Sequence, residues 1–155
     1  PVSEGNITGG RVLTDNTVSY NASSSQMGWY IDLPTSGERV VVDPVVASDL
    51  VFFNTTIPES AQCSAGGSGF LMAAKVRTGG QPDAQVFTRF DNGAAQIDIE
   101  GQYSGIPLDA VPGGGTIING DTIVISDSLG RIVTTDFSPG NQNKNSRRAS
   151  WSVVK

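Results

Sequence analysis

The side chains best suited to chemistry lie between Asp91 and Glu100. Asp91-Asn92-Gly93 followed by Asp98-Ile99-Glu100 sets three carboxylates around a glycine turn, and oxygen-rich loops of that kind can cage calcium. A calcium loop of the D-x-[DN]-x-[DN]-G type alternates its ligands closely, whereas Ala94 and Ala95 stand here where ligands are needed. The expectation is a β-turn followed by a strand carrying solvated acids. Ala65-Gly66-Gly67-Ser68-Gly69 is glycine-rich, but it has no Lys-Ser/Thr and no helical run behind it. It reads as a strand-to-strand bend, not a phosphate cradle. Cys63 is the single cysteine and histidine is absent, so no imidazole is present to activate the thiol. Cys63 is expected to be a free thiol or a half-cystine whose partner lies outside this chain. Asn6-Ile7-Thr8, Asn21-Ala22-Ser23 and Asn54-Thr55-Thr56 match the glycosylation sequon, a frequency that chance explains in a chain rich in Asn and Thr. Trp29 and Trp151 can stack on a sugar or a partner, although each sits in a strand-like run where packing is the commoner role. No catalytic, cofactor-binding or metal-ligating residue is assigned, and no enzyme is expected.

The elements that would position these groups are strands. Residues 40–46 and 50–58 are dense in β-branched and aromatic residues and meet at Ala47-Ser48-Asp49, which is turn chemistry. Pro44 demotes the first run to an edge or bulged strand. A third strand begins after Gly69, and a fourth, residues 85–90, follows the turn at Thr78-Gly79-Gly80. Residues 96–100 alternate Ile97 and Ile99 with polar positions, as a half-buried strand does. Residues 107–115 end in three glycines and read as a flexible loop. Residues 116–118, 122–126, 131–137 and 149–154 give a second set of four strands, with Asn119-Gly120 the strongest hairpin signal in the chain. Residues 11–14 and 17–20 can pair as a short hairpin, and residues 27–33 read as a strand ended by Pro34. Residues 141–148 form a polar, basic tip. No segment sustains a helical apolar period.

Parts of the two sets echo each other. Residues 49–55 resemble 121–127, and residues 69–76 resemble 130–137, at offsets near one blade of a repeat architecture. The expected class is all-β, with antiparallel four-stranded blades of a β-propeller that is incomplete in this chain. A β-sandwich is the alternative, and strand order separates the two: sequential meanders mean blades, crossed connections mean a sandwich. The chain divides into a polar N-terminal segment with an outer strand of a preceding blade (1–38), a blade-like repeat with a following loop (39–104) and a terminal repeat (105–155). The partners of the Trp29 strand are then expected upstream of Pro1, leaving an open edge that favours association of the isolated chain.

Composition narrows the function. The 155 residues suit one domain or a piece of a larger one. Nineteen glycines and eight prolines suit many short strands. A net charge of −5 with ten Lys plus Arg lacks the basic footprint that nucleic acid requires. No apolar run approaches a membrane span, and the first residues do not read as a signal peptide. Few charges alongside abundant Ser, Thr and Asn are in keeping with exported or surface proteins.

Linked motifs then point to a family. Gly28-Trp-Tyr-Ile-Asp-Leu-Pro34, Ser36-Gly-Glu-Arg-Val40, Val51-Phe-Phe53 leading to Thr56-Ile-Pro58, and Cys63 to Gly69 together closely resemble the C-terminal domain of the PilY/PilC proteins. Arg147-Arg-Ala-Ser-Trp151 is similar to the end of that family. The resemblance implies a quinoprotein-like β-propeller in an exported Gram-negative protein at the cell surface, pilus tip or outer membrane. It also implies work in type IV pilus assembly and retraction control and in adhesion. The implied partners are pilin or minor pilin subunits, host or abiotic surface ligands, and missing upstream blades of the same protein. The family's D-x-D-x-D-G calcium loop occurs nowhere in this sequence, so no cofactor is expected here and calcium would belong elsewhere in a full-length protein. Two rivals remain: a quinone-holding cofactor module, weakened by the missing histidine, and a free-standing β-sandwich binding module of a cell-surface protein.

Overall fold

Ser48 and Asp49 both adopt positive φ, 51° and 64°. The chain therefore reverses in a two-residue turn whose twist suits its flanking strands. That turn joins β2 (Val45–Ala47) to β3 (Leu50–Pro58), with Ala47 opposite Leu50. The computed structural model describes residues 9–59, 66–93 and 96–138, and every regular element among them is a strand. As expected of a proline-bearing run, β1 (Arg39–Val40) and β2 lie end to end along one edge of β3 on either side of Pro44. β4 (Gly67–Lys75) pairs with the full length of β3, and β7 (Gly105–Leu108) closes its far side.

The second sheet runs β6 (Gln96–Asp98), β5 (Phe87–Asp91), β10 (Ile132–Phe137), β9 (Thr122–Asp127) and β8 (Pro112–Ile118). Asn119 and Gly120, with φ of 54° and 84°, make the turn between β8 and β9 that their sequence announces. All pairings in both sheets are antiparallel. The two echoed segments fold as hairpins, β3–β4 in one sheet and β9–β10 in the other.

The sequential meander expected over residues 39–90 is not formed. Its intended fourth strand, β5, crosses to the other sheet and pairs with β10, while β7 returns to take the place beside β4. In its place beside β10, β5 buries both Phe87 and Phe90. Three positions apart, they cannot both face inward on a regular strand of period two. The register slips opposite Asp136 and Phe137, leaving Thr88 as the extra residue of a bulge, and both rings become buried. Phe87 then meets Phe52 edge-on at 6.3 Å between centroids, and Phe137 lies 4.7 Å from the same ring. In the second expected meander, β8, β9 and β10 do pair in sequence; residues 149–154 lie outside the described residues.

Residues 107–115 are not a free loop either. Pro107 sits in β7, an edge strand that tolerates the missing donor. Gly113 and Gly114 form a bulge in β8, where a Cβ on Gly113 would come within 2.8 Å of Ser126 Oγ. The core lies between the sheets, where Leu50, Phe52 and Leu71 of one meet Phe87, Ile123 and Ile125 of the other. Two antiparallel sheets over one core fit the sandwich alternative and a pair of neighbouring blades alike. Among the described residues no helix is long and apolar enough to cross a membrane.

Candidate functional site

Residues 9–38 form neither the short hairpin nor the Trp29 strand that their sequence suggests. Both sides of β4 are already occupied by β3 and β7, and this segment crosses the first sheet as a strap held by one backbone bridge at Arg11 and by side chains. Arg11 anchors it, since its N–H donates to Gly105 O (2.9 Å) and its carbonyl accepts from Ser104 N (2.7 Å). The Arg11 guanidinium grips Glu38 through both carboxylate oxygens (2.5 and 2.9 Å) and lies 3.5 Å from the Phe70 ring centroid. The Glu38 side chain is wholly shielded from solvent. Burial pushes its pKa up, but hydrogen bonds from Arg11, Thr55 and Thr35, with the Arg11 charge, outweigh that and hold it below the usual value.

Farther along, Leu13 N–H donates to Gln81 Oε1 (2.8 Å), which also accepts from the buried Ser104 hydroxyl (2.6 Å). Tyr20 Oη–H donates to Arg77 O (2.6 Å) and Trp29 Nε1–H to Val76 O (2.8 Å). Gly79 has φ of +66°, and any Cβ there would run into the Trp29 indole. The ring is therefore pinned against the turn that follows β4. Between the two arms of the strap and this turn lies a half-open groove of about 490 Å³, lined by Trp29, Tyr30, Asn16, Thr17, Gln26 and Asp32 among others.

The remaining sequence candidates do not converge. Asp91 Oδ1 accepts Gly93 N–H (2.7 Å), which is the expected turn, and Asp98 is paired with Arg89 Nε (3.2 Å). Their strands are neighbours, with Asp91 opposite Gln96 and Asp98 opposite Arg89. One of these acids thus closes its own turn and another is paired with a cation. Among the described residues no three Asp, Glu, Cys or His side chains are grouped to hold a metal. Asn54 is 3% exposed and its Nδ2 donates to Gly113 O (2.7 Å), so this sequon is buried and ties the two sheets together. Asn21 is exposed. Cys63, Asn6 and Trp151 lie outside the described residues. The glycine-rich stretch runs into β4, whose Gly67 and Gly69 let the strand press against the carbonyls of Ile57 and Thr55.

Sequence reasoning missed the groove, because its walls come from two segments about fifty residues apart. A second unforeseen feature is Arg131, which spans Asp127 (Nε to Oδ2, 2.7 Å) and Asp109 (Nη2 to Oδ1, 2.5 Å). Hydrogen bonds from Arg131 hold the Asp109 pKa below its usual value. For Asp127 burial acts upward, but Arg131 and the Leu129 N–H outweigh it and the pKa is again lowered.

No family model matches the chain, and no solved structure matches it. Two curated proteins do, each described as a type IV pilus biogenesis factor PilY1 homolog from Xylella fastidiosa (strain Temecula1 / ATCC 700964). One is 31% identical over 160 aligned positions, covering 99% of this chain, and the other 35% over 82, covering 49%. The chain spans only 13% and 5% of those two relatives. Along nearly its whole length, this chain is a relative of the PilY1-type pilus biogenesis factors.

Proposed function

We propose that this chain is a non-enzymatic binding module of a type IV pilus biogenesis factor. It works at the cell surface, at the pilus tip or outer membrane, where it supports pilus assembly and retraction control and surface adhesion. The observation that carries the reading is a match to a PilY1 homolog that runs through 99% of the chain. The groove supports it in a second way. It holds exposed aromatic and amide groups, but neither a histidine nor a second carboxylate to pair with Asp32, so it is equipped to bind and not to transfer protons. Its partners are pilin or minor pilin subunits and surface ligands. No cofactor is assigned to this segment, and any calcium would belong to other parts of a full-length protein.

For the architecture, we favour the sandwich over the blade. The β4–β7 and β5–β10 pairings skip strands, as a sandwich does and a four-stranded meander does not. The functional test removes residues 9–138 from the full-length protein in its native host and counts surface pili and adherent cells. Loss of either with the shortened protein still exported is expected; wild-type piliation and adhesion together would overturn the proposal.

A further inference from the structure

We propose that the groove beneath the N-terminal strap is a binding site for a neutral saccharide. Its volume of about 490 Å³ falls within the roughly 300–1,000 Å³ of small-molecule sites. Trp29 supplies a fixed aromatic wall, since its Nε1–H is spent on Val76 O and Gly79 backs the ring. A platform already held in place loses little entropy when a ligand stacks on it. Tyr30, 85% exposed, lines the groove with it, and among the described residues no hydrogen bond occupies its hydroxyl. Aromatic surfaces of this kind suit the apolar C–H faces of a pyranose ring, whose hydroxyls need donors and acceptors around the edge.

The groove provides those edge partners. Among the described residues, no hydrogen bond occupies the Asp32 carboxylate or the Thr17 hydroxyl. Gln26 uses its Oε1 on Ser19 N–H (2.6 Å) and keeps its amide donors for a ligand. Asn16 donates only a long bond of 3.4 Å, to Thr14. Amide, carboxylate and hydroxyl groups thus share the lining with the aromatic wall and with Val12, Leu13, Val18 and Ile31, and a wholly apolar peptide would leave those polar groups unpaired.

Charge sets the ligand class. Among the described residues no lysine or arginine lines the groove and Asp32 does, so phosphorylated and acidic sugars are disfavoured and neutral ones are not. Hydrolysis is not implied, because glycoside cleavage usually needs two facing carboxylates. The nearby Asp15 is engaged by Lys75 at 2.9 Å.

The inference stands apart from the pilus assignment, because its test reads binding by the 155-residue chain itself. The labelled chain is titrated with maltotriose, lactose, N-acetyllactosamine and chitotriose while the Trp29 indole N–H and Gln26 amide signals are followed by NMR. At least one sugar is expected to shift both signals saturably, with a Kd of about 1 mM or tighter. Tyr30→Ala and Asp32→Asn should each weaken that sugar about tenfold, whereas Leu129→Ala, in the distant β9–β10 turn, should not. Tyr30, Asp32 and Leu129 are exposed, and unchanged signals elsewhere verify the fold. Absence of any shift with all four sugars at about 20 mM overturns the proposal. So do shifts caused by an apolar peptide but by none of the sugars, and sugar binding that both groove variants leave intact.

Discussion

Arg11 holds Glu38 by both carboxylate oxygens across 27 positions of sequence, with the Phe70 ring 3.5 Å beneath its guanidinium. Removing Arg11 leaves the shielded Glu38 carboxylate without a counter-charge, held only by hydrogen bonds from Thr35 and Thr55. Arg11→Ala is expected to cost about 3 kcal/mol, while the Arg11→Ala, Glu38→Leu double variant recovers part of that loss. Denaturant titration of the four members of this cycle should give a coupling above about 1 kcal/mol. Additive losses would mean that the pair is decorative.

Three carboxylates, Glu38, Asp109 and Asp127, have folded pKa values below their ordinary ones of 4.5, 3.8 and 3.8. Groups depressed on folding stabilise the native state above their unfolded pKa, and that contribution disappears as pH falls through the folded value. Lys75 has the opposite sign. Hydrogen bonds to Asp83 and Asp15 raise its pKa above 10.5, so its contribution is complete below that value and is lost at higher pH. Stability should therefore be flat near neutrality and decline once pH drops below about 4.5. Urea midpoints across pH 3 to 7 would show this, and a midpoint that rises on acidification would contradict it.

Gly79 carries φ of +66° and lies under Trp29. Gly79→Ala adds both backbone strain and a collision, together about 1–3 kcal/mol. It is also expected to release the indole from Val76 O, seen as a shift of its N–H signal and a lower Tm. An unchanged indole signal would show that the ring does not depend on this backing.

Phe52 is buried at the centre of the contact between sheets, against Phe87 and Phe137. Phe52→Ala should cost about 3–5 kcal/mol, against about 0.5 kcal/mol or less for Leu129→Ala in an exposed turn. Comparable losses from the two would place the core elsewhere.

Local chemistry made much of the chain legible in its sequence. Asn119-Gly120, Ser48-Asp49 and Pro44 marked two turns and a split edge strand, because positive φ and a missing donor are properties of individual residues. The turn at Asp91-Asn92-Gly93 was legible in the same way, and Asp91 Oδ1 accepts the Gly93 N–H that closes it. Strand partners were not legible. A period-two pattern says which face is buried, not which sheet buries it, and the bulge at Thr88 that turns both Phe87 and Phe90 inward exists only in the pairing of β5 with β10. The strap was misread for a related reason. Trp29-Tyr-Ile has strand-like residues, yet among the described residues it joins no ladder, and its indole binds the turn through one hydrogen bond. The groove exists only because Gly79 brings that turn under a tryptophan fifty residues earlier, a long-range contact that tertiary packing alone determines.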